Sequence, residues 1–177
     1  MAATALRTAS GSGAFDGWTV SGNPTVDPTV GLPMPSWKLP GNGSYIWRDN
    51  HKAYAGFAYK VMSQGLVDFF FGCNDKGAGQ MFRIDTRASG NYAGFASTTS
   101  WTSWGSPSSG FYAPANTWIQ VDLTLGAATA TVRCTWVGGY ATVQLAPYRA
   151  SGTAFDFQGD GLGASSYSWI SDFHTLT

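Results

Sequence analysis

Residues 118–145 read WIQVDLTLGAATATVRCTWVGGYATVQL, and this stretch decides the fold. Apolar and polar side chains alternate along it in three runs, at Trp118–Leu125, Ala130–Trp136 and Ala141–Leu145. A period of two is the pattern of a β-strand that buries one face and exposes the other. The dipeptide Gly138-Gly139 separates the last two runs and predicts a two-residue hairpin turn. The stretch therefore predicts three strands, of which the last two form a hairpin.

Short apolar runs with turn residues between them continue through the rest of the chain. The segment Leu66–Cys73 is almost entirely apolar, which predicts a strand buried on both faces. The segment Asn23–Pro40 contains five prolines, so we expect a loop or at best an edge strand. Further strands are predicted at Phe15–Val20, Ser44–Trp47, Ala53–Met62, Gln80–Asp85, Asn91–Ala96 and Tyr167–Leu176. About a dozen strands without helical periodicity predict an all-β protein, a two-sheet antiparallel β-sandwich or jelly roll.

The composition agrees with this fold class. The chain has 177 residues, enough for one domain, and its 10 acidic residues are all Asp. The chain has no Glu and only 4 Lys, so it lacks the best surface helix formers, which argues against an all-α fold. Residues 1–13 are small and polar, so we expect a flexible arm there and one sandwich domain over residues 14–177.

Charge and hydropathy exclude several kinds of partner. The net charge is zero and basic residues do not cluster, which argues against nucleic-acid binding. No apolar stretch approaches the roughly 20 residues that span a bilayer, and no signal peptide is visible, so membrane insertion is not expected. Cys73 and Cys134 could form one disulfide, but the missing export signal favours free thiols.

The sequence also resembles a known superfamily. The runs DFFFGCNDKGAGQMFRIDTR, NYAGF and NTWIQVDLTL, with the closing GDGLG and WISDF, look like the concanavalin A-like or laminin-G-like jelly-roll modules. Ser171 and Asp172 depart from the Asp and Asn that are usual in the closing motif. The resemblance implies a sandwich of the kind found in carbohydrate-binding domains, glycoside hydrolases and virion proteins of phages that infect Gram-positive hosts.

The same resemblance bears on metals and on catalysis. Many such modules carry a structural calcium, and Asp160 and Asp172 are the candidate ligands, with Asp16 and Asp49 as further carboxylates. Glucanases of this superfamily share a paired-Glu motif, which cannot exist in a chain without Glu. The strand aspartates do not form an i, i+2 pair either, so we expect no enzymatic activity.

Two groups of residues are candidates for ligand binding. The uncharged segment Ser97–Ala113 carries Trp101, Trp104, Phe111 and Tyr112 among Ser, Thr and Gly, a combination that suits a glycan, a protein interface or a cap on the sandwich. Arg83 and Asp85 share one face of a predicted strand, with Arg87 in step. They could bind sugar hydroxyls or form a surface ion-pair ladder.

These observations favour a non-catalytic, lectin-like adhesion or structural module. Its predicted setting is a phage virion, as a tail or capsid-decorating protein, or another extracellular surface. Its predicted partners are a glycan, neighbouring virion subunits or further copies of itself. Two alternatives stay open at this point: a carbohydrate-binding module of a secreted bacterial glycoside hydrolase, and a purely structural virion domain without a ligand.

Replacing Trp101 and Trp104 together by Ala tests the loop. If the loop binds a partner, the double variant should lose about 2 kcal/mol or more of binding free energy and keep its melting temperature. The control is Trp136→Ala, because truncating a core Trp costs about 3–5 kcal/mol of stability. Thermal melts and a binding or assembly assay are the measurements. A loop variant that unfolds as readily as the control would identify the loop as a lid on the core.

Overall fold

The computed structural model describes residues 3–5, 17–33, 35–41, 43–48, 54–75, 78–87, 92–97, 115–145, 152–159 and 167–177. The elements in these ranges are all β-strands, which confirms the predicted fold class. They are β1 (Ala3–Ala5), β2 (Thr19–Ser21), β3 (Thr25–Asp27), β4 (Ser36–Pro40), β5 (Ser44–Arg48), β6 (Gly56–Ser63), β7 (Leu66–Asp75), β8 (Ala78–Asp85), β9 (Tyr92–Ser97), β10 (Ile119–Leu125), β11 (Ala130–Trp136), β12 (Gly139–Leu145), β13 (Ala154–Gly159) and β14 (Tyr167–Leu176). In these ranges no helix is long and apolar enough to span a membrane.

The strands form two antiparallel sheets. One sheet has eight strands in the order β12-β11-β10-β6-β14-β4-β3, with β1 added beside the end of β14. The other has six strands in the order β2-β5-β13-β7-β8-β9. This is the predicted two-sheet β-sandwich.

Aromatic side chains fill the space between the sheets. Phe57 of β6 and Phe69 of β7 lie with their ring centroids 5.0 Å apart, so the rings join the two sheets directly. Phe69 also meets Phe157 of β13 at 4.6 Å. These three rings are at most 1% exposed. Because a buried aromatic ring removes about 150–250 Å² from water, this layer dominates the energetics of the core.

A β-bulge in β14 brings one of these rings into the core. Ser171 pairs with Lys60 of β6 and His174 pairs with Ala58, so two residues of β14 oppose one residue of β6. Asp172, the first of the two, has a positive φ of 55°. The extra residue reverses the alternation, and Phe173 therefore points inward beside Phe57 and Phe155.

Strands β7 and β8 of the six-stranded sheet are buried on their outer face as well as their inner face. Asp68 and Phe70 of β7, with Met81, Arg83 and Asp85 of β8, alternate with the core residues, yet each is at most 7% exposed. This confirms the prediction that the apolar segment starting at Leu66 is buried on both sides. Arg83 donates from Nε and Nη2 to both carboxylate oxygens of Asp68, each at 2.6 Å. This two-pronged geometry gives the strongest form of the Arg–carboxylate interaction.

Three details of the predicted secondary structure were wrong. The proline-rich segment contains β4, which lies between β14 and β3 and is therefore not an edge strand. The first four residues of β4 are free of proline, and two of them, Trp37 and Leu39, are buried in the core. The hairpin turn is Val137-Gly138 instead of Gly138-Gly139. Gly138 has the positive φ of 99°, whereas Gly139 pairs with Trp136, and a Cβ there would lie 2.9 Å from the Trp136 ring. Strand β13 was not predicted.

The sequence also predicted a flexible arm at residues 1–13 and free thiols at the two cysteines. Residues Ala3–Ala5, inside the expected flexible arm, form β1 and pair with β14. The boundaries of the arm and the domain stay a prediction. Cys134 is a free thiol at 0% exposure, on the inward face where it was expected. Burial raises the pKa of this thiol far above its ordinary value.

The buried pair of Asp68 and Arg83 should respond to substitution in a non-additive way. Asp68→Leu and Arg83→Met each leave one buried charge without this partner, so each should cost about 3–5 kcal/mol of unfolding free energy. The double variant should cost clearly less than the sum. Urea unfolding of all four proteins is the measurement.

The matched control is Lys60→Met, which breaks the half-exposed pair between Lys60 and Asp172. It should cost no more than about 1 kcal/mol. Additive losses in the Asp68 and Arg83 variants would contradict the assignment.

Candidate functional site

The site lies at the edge where the chain crosses from one sheet to the other. Strand β2 is the edge of the six-stranded sheet and β3 is the edge of the eight-stranded sheet. The turn between them contains Gly22 and Asn23, both with positive φ, of 73° and 58°. A Cβ on Gly22 would lie 2.7 Å from the Cα of Ser44, so only glycine fits this crossing.

Three neighbouring strands place the side chains of the site on one face. Thr25 of β3 pairs with Lys38 of β4, and Lys38 pairs with Trp169 of β14. In the next row Pro40 pairs with Tyr167. Because Trp37 and Leu39 point into the core, Lys38 and Pro40 point outward, and their partners on β3 and β14 do the same.

A pocket of about 450 Å³, open to solvent on one side, lies on this face. It is lined by Gly22, Asn23, Thr25, Lys38, Pro40, Gly41 and Tyr167. Its volume is in the range of small-molecule sites, about 300–1,000 Å³. An aromatic wall with an amide, a hydroxyl and an ammonium group is the usual make-up of such sites, which combine apolar area with a few polar contacts.

The ammonium group of Lys38 lies beside two neighbouring aromatic rings. Its Nζ is 4.0 Å from the ring centroid of Tyr167 and 5.5 Å from that of Trp169. The two rings are themselves 6.0 Å apart. Both distances are within the reach of a cation–π attraction, which holds Lys38 at the side of the pocket.

Asp27 fixes the position of Trp169. Its Oδ2 accepts a hydrogen bond from Trp169 Nε1 at 3.1 Å. Its Oδ1 accepts from the backbone N and the hydroxyl of Thr29 and from the backbone N of Val30, at 2.9–3.0 Å. Burial raises the pKa of this carboxyl, but the four hydrogen bonds outweigh it and leave the pKa below its ordinary value.

Of the residues proposed for ligand binding from the sequence, the structure describes Arg83 and Asp85, and neither lines this pocket. Trp101, Trp104, Phe111 and Tyr112 lie outside the described residues, and their role stays a prediction. Arg83 is 7% exposed and binds Asp68, whereas Asp85 is fully buried and binds Arg87 at 2.8 Å. Both were expected at the surface, as a sugar-binding face or an ion-pair ladder. They are instead covered on the outer side of the six-stranded sheet.

Of the two proposed calcium ligands, the structure describes Asp172 but not Asp160. Asp172 contacts Lys60 Nζ at 3.0 Å through one carboxylate oxygen and lies 3.7 Å from His174 Nε2 through the other. The Lys60 ammonium already binds this carboxylate and would repel a calcium ion placed beside it. Asp172 therefore does not fit a calcium site, which needs six to eight oxygen ligands. Over the ranges described, no three metal-ligating side chains cluster. Asp160 lies outside these ranges, and its part in a calcium site stays a prediction.

Sequence reasoning missed the pocket because its residues come from three separate segments. Lys38 was placed in a loop by the proline count, and Tyr167 was read only as the start of a strand. One signal was present. Tyr167 and Trp169 are two residues apart and therefore face the same side of their strand, opposite to the apolar Ile170.

A second exposed tyrosine lies elsewhere on the eight-stranded sheet. Tyr140 of β12 is 64% exposed, and the guanidinium carbon of Arg133 is 4.6 Å from its ring centroid. It lies on the strand at the edge opposite to β3 and does not line the pocket. Tyr140 therefore serves as a reference position for substitutions in the pocket.

The chain matches no family model and no curated protein. It is similar to solved structures across almost its whole length. The exoplasmic/lumenal domain of VIP36, in a form bound to Ca²⁺ and Man3GlcNAc, is 8% identical with a TM-score of 0.68 over 97% of this chain and 87% of that one. Lectin II from Ulex europaeus is 10% identical with a TM-score of 0.64, over 91% and 92%.

A carbohydrate-binding module, CBM66 from Bacillus subtilis, is 12% identical with a TM-score of 0.58, over 89% of this chain and 93% of that one. At these identities the similarity concerns the fold. The chain therefore has the concanavalin A-like jelly-roll fold of lectins, as its sequence motifs indicated.

The Asp27 network predicts a pH-dependent difference in stability between the wild-type protein and Asp27→Asn. Because the folded-state pKa is depressed, this carboxylate stabilises the fold above its ordinary pKa of 3.8 and loses that contribution as the pH falls through the folded value. The wild type should melt at the higher temperature at neutral pH, and the difference should shrink in acid below 3.8.

Thermal melts across the acid range are the measurement. Thr29→Val removes one of the four donors and should give a smaller difference with the same dependence on pH. A difference for Asp27→Asn that is constant down to pH 2 would contradict the network.

Proposed function

We propose that the protein is a non-catalytic carbohydrate-binding module and that the pocket beside Tyr167 holds the sugar. The observation that carries the proposal is the pocket itself. It joins an aromatic wall to an amide, a hydroxyl and an ammonium group on the outer face of a lectin-like sandwich.

The chemistry of a sugar matches this lining. The apolar C–H face of a pyranose can pack on the Tyr167 ring, and its hydroxyls can bond to Asn23 and Thr25. The structural neighbours support the class of ligand, since they include a lectin, a carbohydrate-binding module and a domain bound to Man3GlcNAc.

Four carboxylates among the described residues support the non-catalytic part. Glycoside hydrolysis needs two carboxyl groups facing one bond. Asp68 and Asp85 are buried and paired with arginines, and Asp172 is paired with Lys60. Asp27 is filled by four donors, of which Trp169 is one. We therefore propose that glycosides are bound and released unchanged, which a panel of glucans, galactans and chromogenic glycosides would check.

The setting is part of the proposal and rests on the composition of the sequence. We propose an extracellular or virion surface, where the module would hold a glycan and contact neighbouring subunits or further copies of itself. A carbohydrate-binding module of a secreted hydrolase would use the same pocket. Electron microscopy of the assembled particle or of the whole secreted protein would distinguish the two.

A glycan array with matched variants tests the pocket. Tyr167→Ala should cost about 2 kcal/mol or more of binding free energy, as the loss of a central aromatic contact does. Asn23→Gly removes the side-chain hydrogen bonds, keeps a residue that tolerates the positive φ of 58° at this position, and should cost about 1 kcal/mol of binding free energy. The matched control is Tyr140→Ala, which removes an exposed tyrosine outside the pocket and should bind like the wild type.

Melting temperatures of the three variants should stay near that of the wild type, so that the loss is one of binding. Binding that survives Tyr167→Ala but disappears in the double variant of Trp101 and Trp104 would move the site to the 97–113 segment.

A further inference from the structure

We propose that the pocket selects a sugar that carries a carboxylate, and that Lys38 is the residue that recognises this charge. This inference rests on the proposed function, because it names the class of sugar for the same pocket. It goes beyond that function in predicting a dependence on charge, which a pocket for neutral sugars would lack.

The first observation is the charge of the lining. Among the described residues that line the pocket, Lys38 is the one that carries a charge. Its ammonium carries three N–H donors. Among the described residues it contacts two aromatic rings, and none of their carboxylates lies within ion-pair distance of it. The ring faces attract the charge but leave the donors available to a ligand.

The second observation concerns Asp27, the carboxylate on the same face of β3. Four protein donors already fill its two oxygens. Asp27 keeps its negative charge, but its oxygens are occupied by these donors, and it forms no ion pair with Lys38. The N–H donors of Lys38 are therefore not taken up by this carboxylate.

The third observation is a contrast with Lys60 on the same outer face. Lys60 of β6 forms an ion pair with Asp172 of the neighbouring strand β14 at 3.0 Å. At this position the sheet itself provides the carboxylate that binds the lysine. At Lys38 the structure supplies two aromatic rings instead. An anionic group on the ligand would complete the site with a charge-assisted hydrogen bond, which is roughly twice as strong as a neutral one.

The geometry points to one arrangement of the ligand. The carboxylate meets Lys38, the hydroxyls of the same sugar residue meet Asn23 and Thr25, and its apolar face packs against Tyr167. Uronic acids and sialic acids both present a carboxylate on a pyranose ring. The shared chemistry is the acidic pyranose, and separate ligands in the experiment distinguish the two.

The experiment compares each acidic glycan with its own methyl ester. Oligogalacturonate and sialyllactose are titrated calorimetrically into the wild-type protein, each as the free acid and as the ester, at low and at high salt. The free acid of one of them should bind about ten-fold more tightly than its ester, and high salt should reduce this preference. The ligand that shows the preference identifies the source of the carboxylate.

Lys38→Met removes the charge and keeps the apolar stem, so it should abolish the preference for the acid while the ester binds as before. Lys60→Met is the matched control, because it removes a lysine from the same face outside the pocket and should leave the preference unchanged. Circular dichroism and thermal melts establish that both variants fold.

The outcomes separate the two proposals. If acid and ester bind equally and Tyr167→Ala weakens both, the carbohydrate-binding function stands and the selection of acidic sugars is wrong. A preference for the acid that persists in Lys38→Met also overturns the inference, because another cation then recognises the ligand. If neither these ligands nor any sugar on the glycan array binds, both proposals fall.

Discussion

The bulge at Asp172 is the constraint on which both the core and the pocket depend. Strand β14 pairs with β6 along most of its length and with β4 along its first half. A strict alternation from Ile170 would bury Asp172 and expose Phe173, because a shift of one residue moves every later side chain to the other face. The bulge avoids this, so Tyr167 and Trp169 face outward before it and Phe173 faces inward after it.

The described strands of the two sheets use their outer faces differently. On the six-stranded sheet, Asp68 and Arg83 lie against each other out of contact with solvent. Burying such a pair is favourable only when both ions keep excellent geometry, as their two 2.6 Å contacts do. The eight-stranded sheet instead exposes residues such as Tyr140 and lines the pocket with Tyr167.

The sequence predicted a strand correctly where the strand's own alternation of apolar and polar residues shows which face is buried. The alternation at Ile119–Leu125 needs no knowledge of neighbours, and the structure has that strand as predicted. Strand β13 carries Phe155 and Phe157 into the core, but its short alternation lies between segments rich in glycine. The pocket could not be predicted, because the pairing of Thr25, Lys38 and Trp169 is a matter of tertiary register.

Charged residues are few in this chain, and for this reason the contacts of Lys38 with two aromatic rings are informative. The chain has 10 cationic and 10 acidic residues, so each ion pair within the protein occupies one of only 10 side-chain carboxylates. Lys60, Arg83 and Arg87 each hold one. Lys38 is stabilised by rings, which attract a cation without cancelling its charge. Its charge therefore remains at the pocket, and under the proposed function charge complementarity would govern the choice of ligand more than the total affinity.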